Sequence, residues 1–264
     1  MPLPPPWVIG FVAATAIAIA ARRLGWLTTG GALAAVALGT VAAGAGWGWA
    51  VVLIAYFVVA SLLTRFRAGM KRERMEDRIE KPGARDAVQV LANGGLFGAA
   101  ALVHWLTPGP MWMALGVGAL ATSSADTWAT EIGALARAEA RSIMGFHPVP
   151  TGTSGGVTIQ GIVAALGGAG FVALVAWGVR WPLPVIVAAA SGGFFGAVMD
   201  SVMGASVQAR RHCRKCNVMT EQKEHRCGMP TDVTGGIHWI DNDDVNALAT
   251  LYGALFGAAA ATFI

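Results

Sequence analysis

The chain has 264 residues, of which 55% are hydrophobic and 13% are charged, and its formal net charge is +4. Soluble domains carry about 25% charged residues, so this composition excludes an ordinary soluble domain and predicts a polytopic helical membrane protein. The sequence has no internal repeat and no low-complexity linker, and we therefore expect one all-α domain over residues 1–264. The basic residues form no groove interleaved with aromatic side chains, so nucleic acid is not an expected partner.

Apolar segments follow one another along the chain and predict eight transmembrane helices. The break at 43–49 is the least marked, because the run 27–63 is too long for one helix and only just long enough for two. Arg22 and Arg23 follow the first segment, and no basic residue precedes it, which favours a retained span over a signal peptide. The predicted spans are 7–21, 27–43, 47–63, 87–106, 111–136, 156–179, 183–208 and 244–263.

The distribution of positive charge predicts the orientation of these spans. With eight spans, all the Lys and Arg residues except Arg180 fall on one side of the membrane, in loops 22–26, 64–86, 137–155 and 209–243. Positively charged loops stay in the cytoplasm, so we expect both termini to be external, in the plasma (inner) membrane of a prokaryote. A seven- or nine-span model would divide the basic loops between the two sides. These loops also favour contact with membrane lipids.

The fifth predicted span carries carboxylates among hydroxyl side chains. Two sets follow the spacing i, i+3, i+7 and lie on adjoining faces of one helix: Ser124, Thr127 and Glu131, and Ser123, Asp126 and Thr130. A charged group at bilayer depth is costly unless it is paired or solvated. Such acids therefore indicate a polar interior or a bound cation. The alternative is that the hydroxyls pack helices and the carboxylates extend to water.

Polar side chains also lie near the predicted cytoplasmic ends of two other spans. Asp200 and Gln208 share a face of the seventh span with several glycines, which are typical of a helix-packing seam but do not explain the acid. The fourth span begins after Arg85 and carries Asp86, Gln89 and Asn93 on one face.

Two helix starts add further candidate ligands. The stretch PTGTSGGVTIQG contains Ser154, Gly155 and Gly156, and free backbone N–H groups before a helix suit an anion; a simple helix cap is the alternative. The stretch lacks the lysine of a Walker A loop. The eighth span begins with more polar residues than an N-cap needs, which predicts oxygen ligands for Mg²⁺: Asp241, Asn242, Asp243, Asp244 and Asn246.

Together these clusters predict a water-filled pocket open to the cytoplasm, with Mg²⁺ bound by Asp126, Asp200 and Asp243. Acidic oxygens, a glycine-rich loop and the basic side chains Arg85 and Arg141 suit phosphate chemistry on a nucleotide or a lipid phosphate. No Ser-His-Asp or Cys-His arrangement is placed for acyl transfer.

All three cysteines lie in one predicted cytoplasmic loop, at about residues 209–240. Cys213-x2-Cys216 followed by His225-x-Cys227 supplies four ligands with the spacing of a zinc knuckle, and His212 is a spare histidine. A disulfide is not expected on the cytoplasmic side. A structural Zn²⁺ is the favoured interpretation, and three free thiols are the alternative.

Five blocks, in order over about residues 80–260, resemble the signatures of the domain-of-unknown-function-92 family of integral membrane proteins. Plant phytyl-phosphate kinase looks like the best-understood member of that family. The blocks are RDAVQVLANGG, SSADTWATEIG, GTSGGVTIQG, FGAVMDSVMGASVQ and WIDNDDVNALAT. The cysteine knuckle is not universal in that family, so we interpret it as a stabilising addition. The resemblance carries over these positions: Asn93, Asp126, Glu131, Ser154, Gly155, Gly156, Asp200, Gln208, Asn242, Asp243 and Asn246.

The resemblance implies transfer of a phosphoryl group from a nucleoside triphosphate, with CTP as the suggested donor, to an isoprenoid monophosphate. Asn93, Asp126, Glu131 and Asp200 are the expected catalytic positions, and the prenyl tail is expected between spans. Two other interpretations stay open: an ion or small-solute transporter, and a cytidylyltransferase or phosphatidyltransferase acting on a lipid phosphate. The transporter predicts polar residues through the full membrane depth, whereas the external halves of the spans are almost purely apolar. The oligomeric state is not predicted.

Overall fold

The computed structural model describes residues 4–75 and 83–264, without the side chain of Arg72. Part of the predicted basic loop 64–86, including Arg78 and Lys81, lies outside this range. Eight helices of 17 to 24 residues coincide with the eight predicted apolar segments, and a short helix precedes the fourth. They are α1 (Pro6–Arg23), α2 (Thr29–Ala45), α3 (Trp47–Arg65), the short α4 (Ala68–Met75), α5 (Ala87–Leu106), α6 (Pro110–Gly133), α7 (Ile159–Gly178), α8 (Leu183–Ser206) and α9 (Asn242–Ala261).

The break between the second and third predicted spans is a single residue. Gly46 ends α2 and precedes α3 with φ +137°, a backbone conformation that glycine adopts most easily. The structure therefore agrees with the division of the run 27–63 into two helices.

Two small antiparallel sheets occupy the polar loops, where no strand was predicted. β1 (Ala140–Ser142) pairs with β2 (Pro148–Val149) and β3 (Gly156–Val157), in the order β2-β1-β3. β4 (Arg210–Cys213) pairs with β5 (Val218–Thr220) and β6 (Asp232–Gly235), in the order β5-β4-β6. Strands this short carry no readable alternation of apolar and polar residues, and because β3 takes residues 156–157, α7 begins later than the predicted span.

Among the described residues, five helices are long and apolar enough to cross a membrane by length and composition. They are α1, α3, α5, α7 and α8, and α2 is a shorter apolar helix. The acid-bearing helices α6 and α9 are not apolar enough by the same measure. The chain is a helical integral membrane protein, while the full count of eight spans and the external position of the termini stay predictions.

Helix α6 lies at the centre of the bundle and packs against α3, α5, α7, α8 and α9, whereas α1 packs mainly on α2. Small residues bring α6, α8 and α9 into backbone contact: a Cβ on Gly118 would lie 2.8 Å from the Gly253 carbonyl oxygen, and one on Gly192 only 2.3 Å from it. The ends of α3, α6 and α8 lie at one end of the bundle with the starts of α5, α7 and α9. We call this the polar end, because the predicted site residues lie there.

Candidate functional site

The carboxyl groups of Asp126 on α6 and Asp200 on α8 lie against each other, close enough to share a proton or a cation. Asp126 lies seven residues before the end of α6 and Asp200 six before the end of α8, so both lie about 10 Å inside the polar end. Oδ2 of Asp200 is enclosed and has no hydrogen-bond partner among the described residues. Two carboxyls in contact need a shared proton or a cation between them, so this pair fits a divalent metal ion.

A hydroxyl cluster on α3 and α6 adjoins this pair. The Tyr56 hydroxyl lies near the side chains of Ser123 and Thr127, and the Tyr56 ring is buried. Tyr56 is also close enough to Asp126 and Arg85 to interact with both charges. Sequence reasoning missed this tyrosine, because a single aromatic residue in an apolar span carries no distinguishing pattern.

The other hydroxyls of α6 divide between the site and helix packing. Ser123 Oγ donates to the Asn93 carbonyl oxygen on α5 at 2.7 Å, and Ser124 Oγ donates to that of Gly168 on α7 at 2.9 Å. Thr130 is exposed. The two predicted sets of polar residues on α6 therefore line the site only in part. Ser124 packs α6 against α7, which is the role that the alternative interpretation gave it. Asn93 contributes its backbone to α6, and its side chain donates to the Gln89 carbonyl oxygen at 2.9 Å.

Glu131 forms an ion pair with Lys71 of α4, and both side chains are largely buried. Lys71 Nζ also donates to the carbonyl oxygens of Leu63 at 2.7 Å and Thr64 at 2.9 Å. Those carbonyls end α3, where a positive charge is favourable. Glu131 lies near Asp126, but its described contacts give it the role of holding α4 over the site.

The glycine-rich loop lies against the last turn of α8, at Gly204 and Ala205. Gly155 has φ +74°, and a Cβ there would lie 2.5 Å from the backbone nitrogen of Ala205. The Ser154 hydroxyl donates to the Glu221 carboxylate, which lies near Asp200. The structure therefore links Ser154 to the carboxyl pair only through Glu221, which the sequence analysis missed, and places Gly155 against Ala205 of α8. Gly156 pairs with Ser142 in the sheet, and its N–H donates to the Thr153 carbonyl oxygen at 2.9 Å.

The polar start of α9 is explained in part by helix capping. Asp241 is the N-cap and accepts hydrogen bonds from the N–H groups of Asp243 and Asp244, while Asp244 accepts from the N–H of Asp241 at 3.0 Å. Asp243 is buried, and Asn242 and Asn246 are half-buried. Among the described residues, no group of three acids has its oxygens as close together as metal ligands are, so the structure does not bring Asp243 into one ligand group with Asp126 and Asp200.

The remaining predicted residues lie in different surroundings. Arg85 donates to Thr64 Oγ1 at 3.2 Å and lies near Tyr56, at the edge of the site. Arg141 is exposed in β1 and donates to the Phe146 carbonyl oxygen at 2.7 Å within its own hairpin, so the structure does not bring it to the carboxyls. Gln208 is buried after the end of α8, with Nε2 unpartnered among the described residues.

An apolar cavity of about 110 Å³ lies between α1, α2, α3 and α5. Its walls are mostly Ala, Leu, Ile and Gly side chains, such as Ala35 and Leu53. Polar residues gather at one end, at Tyr56, Arg85 and Asn93. The same tyrosine therefore lines the cavity and contacts the hydroxyls beside Asp126.

The cysteine and histidine side chains of residues 209–240 form a second cluster, outside the helices. Ligand atoms of Cys213, Cys216, His225 and Cys227 all lie within 4.8 Å of one another. A hydrogen bond with His225 lowers the pKa of the Cys227 thiol to about 6, which favours the thiolate that binds metals.

Comparison with known proteins relates the chain to membrane proteins of plants, archaea and cyanobacteria. The family model described as integral membrane protein DUF92 matches residues 12–254. Protein PGR of Arabidopsis thaliana is 26% identical over 283 residues, covering 97% of this chain and 96% of that protein. An uncharacterised membrane protein of Synechocystis sp. is 32% identical over 197 residues (72% and 75%), and one of Methanocaldococcus jannaschii is 26% identical over 216 residues (80% and 76%). No solved structure matches the chain significantly.

Proposed function

The chain belongs to the DUF92 family of integral membrane proteins, and from that premise we propose that it is an isoprenoid-phosphate kinase. The proposed reaction moves the terminal phosphoryl group of a nucleoside triphosphate, with CTP as the proposed donor, to an isoprenoid monophosphate such as phytyl phosphate. One observation carries the proposal: Tyr56 lines the apolar cavity and also lies near Asp126 of the carboxyl pair. That arrangement suits a substrate with an apolar tail and a phosphate at its end.

The acceptor is expected to bind with its tail in the cavity and its phosphate at the polar end. Arg85 lines the cavity and lies near Tyr56, so its guanidinium can neutralise the phosphate. Arg85 is held by its backbone as well, because its N–H donates to the Trp26 carbonyl oxygen at 3.0 Å and its own carbonyl accepts from Thr28 N–H at 3.0 Å. A fixed cation at the cavity mouth orients the acceptor toward Asp126.

The donor phosphates are expected between the carboxyl pair and the glycine-rich loop. Asp126 and Asp200 would hold Mg²⁺, which when bound neutralises charge on phosphate oxygens. Ser154, whose hydroxyl donates to Glu221 near Asp200, and Gly155 would supply a hydroxyl and backbone groups to a phosphate. An oxygen of the acceptor monophosphate then attacks the terminal phosphorus, the bond to the bridging oxygen breaks, and the nucleoside diphosphate leaves with that electron pair. The acceptor oxygen is already anionic, so no general base is required.

We also propose that the polar end faces the cytoplasm of a prokaryotic cell, where nucleoside triphosphates are available. The support is the positive charge of the loops: all the Lys and Arg residues except Arg180 lie outside the loops predicted to be external.

The transporter alternative requires a passage for the solute from the carboxyl pair to the external side of the membrane. In the external halves of α6, α8 and α9, small residues keep the backbones in contact, and a Cβ on Gly257 would lie 2.5 Å from the Ala188 carbonyl oxygen. This packing favours a pocket that opens at one end of the bundle. It does not separate a kinase from a cytidylyltransferase, which releases pyrophosphate.

The test uses purified protein in lipid nanodiscs with Mg²⁺, CTP or ATP, and prenyl monophosphates of several lengths, with products identified by mass. We expect a prenyl diphosphate and a nucleoside diphosphate. If the products are a cytidylyl lipid and pyrophosphate, the protein is a cytidylyltransferase and not a kinase. Absence of any nucleotide turnover across the panel would overturn both.

A further inference from the structure

The cysteine cluster has the dimensions of a tetrahedral zinc site. The sulfur atoms of Cys213 and Cys227 lie 3.6 Å apart, and Nδ1 of His225 lies 3.3 Å from the Cys227 sulfur. With Zn–S bonds of about 2.3 Å, two sulfurs of a tetrahedron are separated by about 3.8 Å. A disulfide would need about 2.05 Å, and all three cysteines are free. The spacing therefore fits a metal and excludes a cross-link between Cys213 and Cys227 in this conformation.

Two tight turns present these ligands. The first follows β4, which ends at Cys213, and places Asn217 at φ +54° before β5 begins. In the second, the His225 N–H donates to the Met229 carbonyl oxygen at 2.9 Å, and Gly228 has φ +76°. Paired turns of this kind hold four side chains around one point, as structural zinc sites do.

The surroundings of the cluster provide little apolar support. Cys213 and His225 are buried, whereas the apolar side chains Met219, Met229 and Val233 of the same segment are exposed. Between β4 and β6, Cys213 and His225 are buried while these apolar side chains are exposed, so this part of the chain has little hydrophobic core of its own. Metal ligation is a usual source of stability for such a segment.

The same segment reaches the carboxyl pair. Glu221 directly follows β5, accepts the hydrogen bond of Ser154, and lies near Asp200. Thr231 Oγ1 ties the two flanks together by donating to the Gln222 carbonyl oxygen at 2.6 Å. The position of Glu221 therefore depends on the fold of the two turns.

We propose that Cys213, Cys216, His225 and Cys227 bind one Zn²⁺ per chain and that the bound metal positions Glu221 against Ser154 beside the carboxyl pair. Glu221 is a positioning residue for the glycine-rich loop. The zinc is structural, since four protein ligands leave no open coordination position. The proposal does not depend on the kinase assignment, because it concerns metal content and the order of the loop.

The first test is metal analysis of protein purified without chelators. We expect about one zinc per chain, lost in His225→Ala. His212→Ala is the matched control: His212 lies in the same segment and contacts Asn217 at 3.1 Å, and it should keep its zinc. If His225→Ala does not fold, His225→Cys is the second variant: it supplies four cysteine ligands and should bind zinc. Zinc-free wild-type protein, or full zinc in His225→Ala, would overturn the site.

The second test measures the order of the loop. Trypsin can cut at Arg214, Lys215 and Lys223, and we expect chelation to speed this cleavage at least tenfold while the far-ultraviolet circular dichroism of the helices is unchanged. Zinc added back should restore protection. Equal cleavage rates with and without chelator would show that the metal does not hold Glu221 in place.

Discussion

Two acidic side chains in contact inside a helical bundle repel each other unless a proton or a cation lies between them. Asp126 and Asp200 are in this situation, and one oxygen of Asp200 is enclosed without a partner among the described residues. Glu131 differs, because Lys71 pairs with it. We therefore expect substitution of Asp126 or Asp200 to affect activity differently from substitution of Glu131.

Asp126→Asn keeps the size of the side chain and removes the charge that offsets a cation. We expect activity to fall by about two to three orders of magnitude, and Asp200→Asn to behave alike. The double variant should be little worse than either single one, because the pair acts as a unit. Folding should survive or improve, since a repulsive buried charge is removed.

Glu131→Gln is the comparison for both. It should reduce activity less, because the structure gives Glu131 a partner outside the carboxyl pair. Activity and detergent melting temperature are measured on the same preparations. A folded Asp126→Asn protein with normal turnover would remove Asp126 from the site.

Among the structural elements, the glycine-rich loop is held by its close approach to α8. In Gly155→Ala, the added Cβ meets the Ala205 backbone and displaces the loop from α8, and we expect activity to fall about 10–100-fold. Gly152→Ala is the matched control: its φ of +84° gives similar backbone strain, but the nearest atoms belong to the flexible Met75 side chain. An equal loss of kcat in both variants would contradict a specific role for the approach to α8.

The cavity between α1, α2, α3 and α5 predicts selection by tail length. Ala50 lines it one helical turn from Trp47, away from Arg85. Ala50→Leu should lower kcat/KM for long prenyl monophosphates by about 10–100-fold and leave kcat/KM for short ones unchanged. The reason is that each methylene of the tail that can no longer be buried in the cavity costs about 0.8 kcal/mol of binding free energy. Val51→Leu, on the exposed side of α3, is the control. A uniform loss for all lengths would argue against a tail in this cavity.

For the whole molecule, the orientation is tested with single cysteines and a membrane-impermeant maleimide. Thr107→Cys, exposed in the α5–α6 connection, should react in intact cells, and Glu73→Cys, exposed on α4, only after permeabilisation. The native cysteines all lie in residues 209–240 and should be silent in intact cells. Reaction of Glu73→Cys in intact cells would reverse the orientation.

The helical fold could be predicted from the sequence because length and hydropathy define membrane helices. The break within 43–49 was predicted as well, and the structure narrows it to the single residue Gly46. The candidate site was predicted less completely. Periodicity places Ser124 and Asp126 on neighbouring faces of α6 but does not say which helix each face meets. Tyr56, Lys71 and Glu221 enter through contacts between residues far apart in the chain, and the capping role of Asp241 and Asp244 becomes visible only in the backbone geometry.

Helix α6 has a further consequence for how the protein is made. It carries Asp126 and Glu131, and it is not apolar enough by itself to count as a span. Asp200 is synthesised later, so during translation α6 meets the membrane before its partner exists. An acid at the centre of an inserting helix costs about 2.5–3.5 kcal/mol, and Asp126, about 10 Å from the helix end, carries part of that cost. Biogenesis of this protein is therefore cooperative: a nascent chain that ends after α6 is expected to leave that helix partly in the translocon or in water until α7 and α8 emerge to accept it.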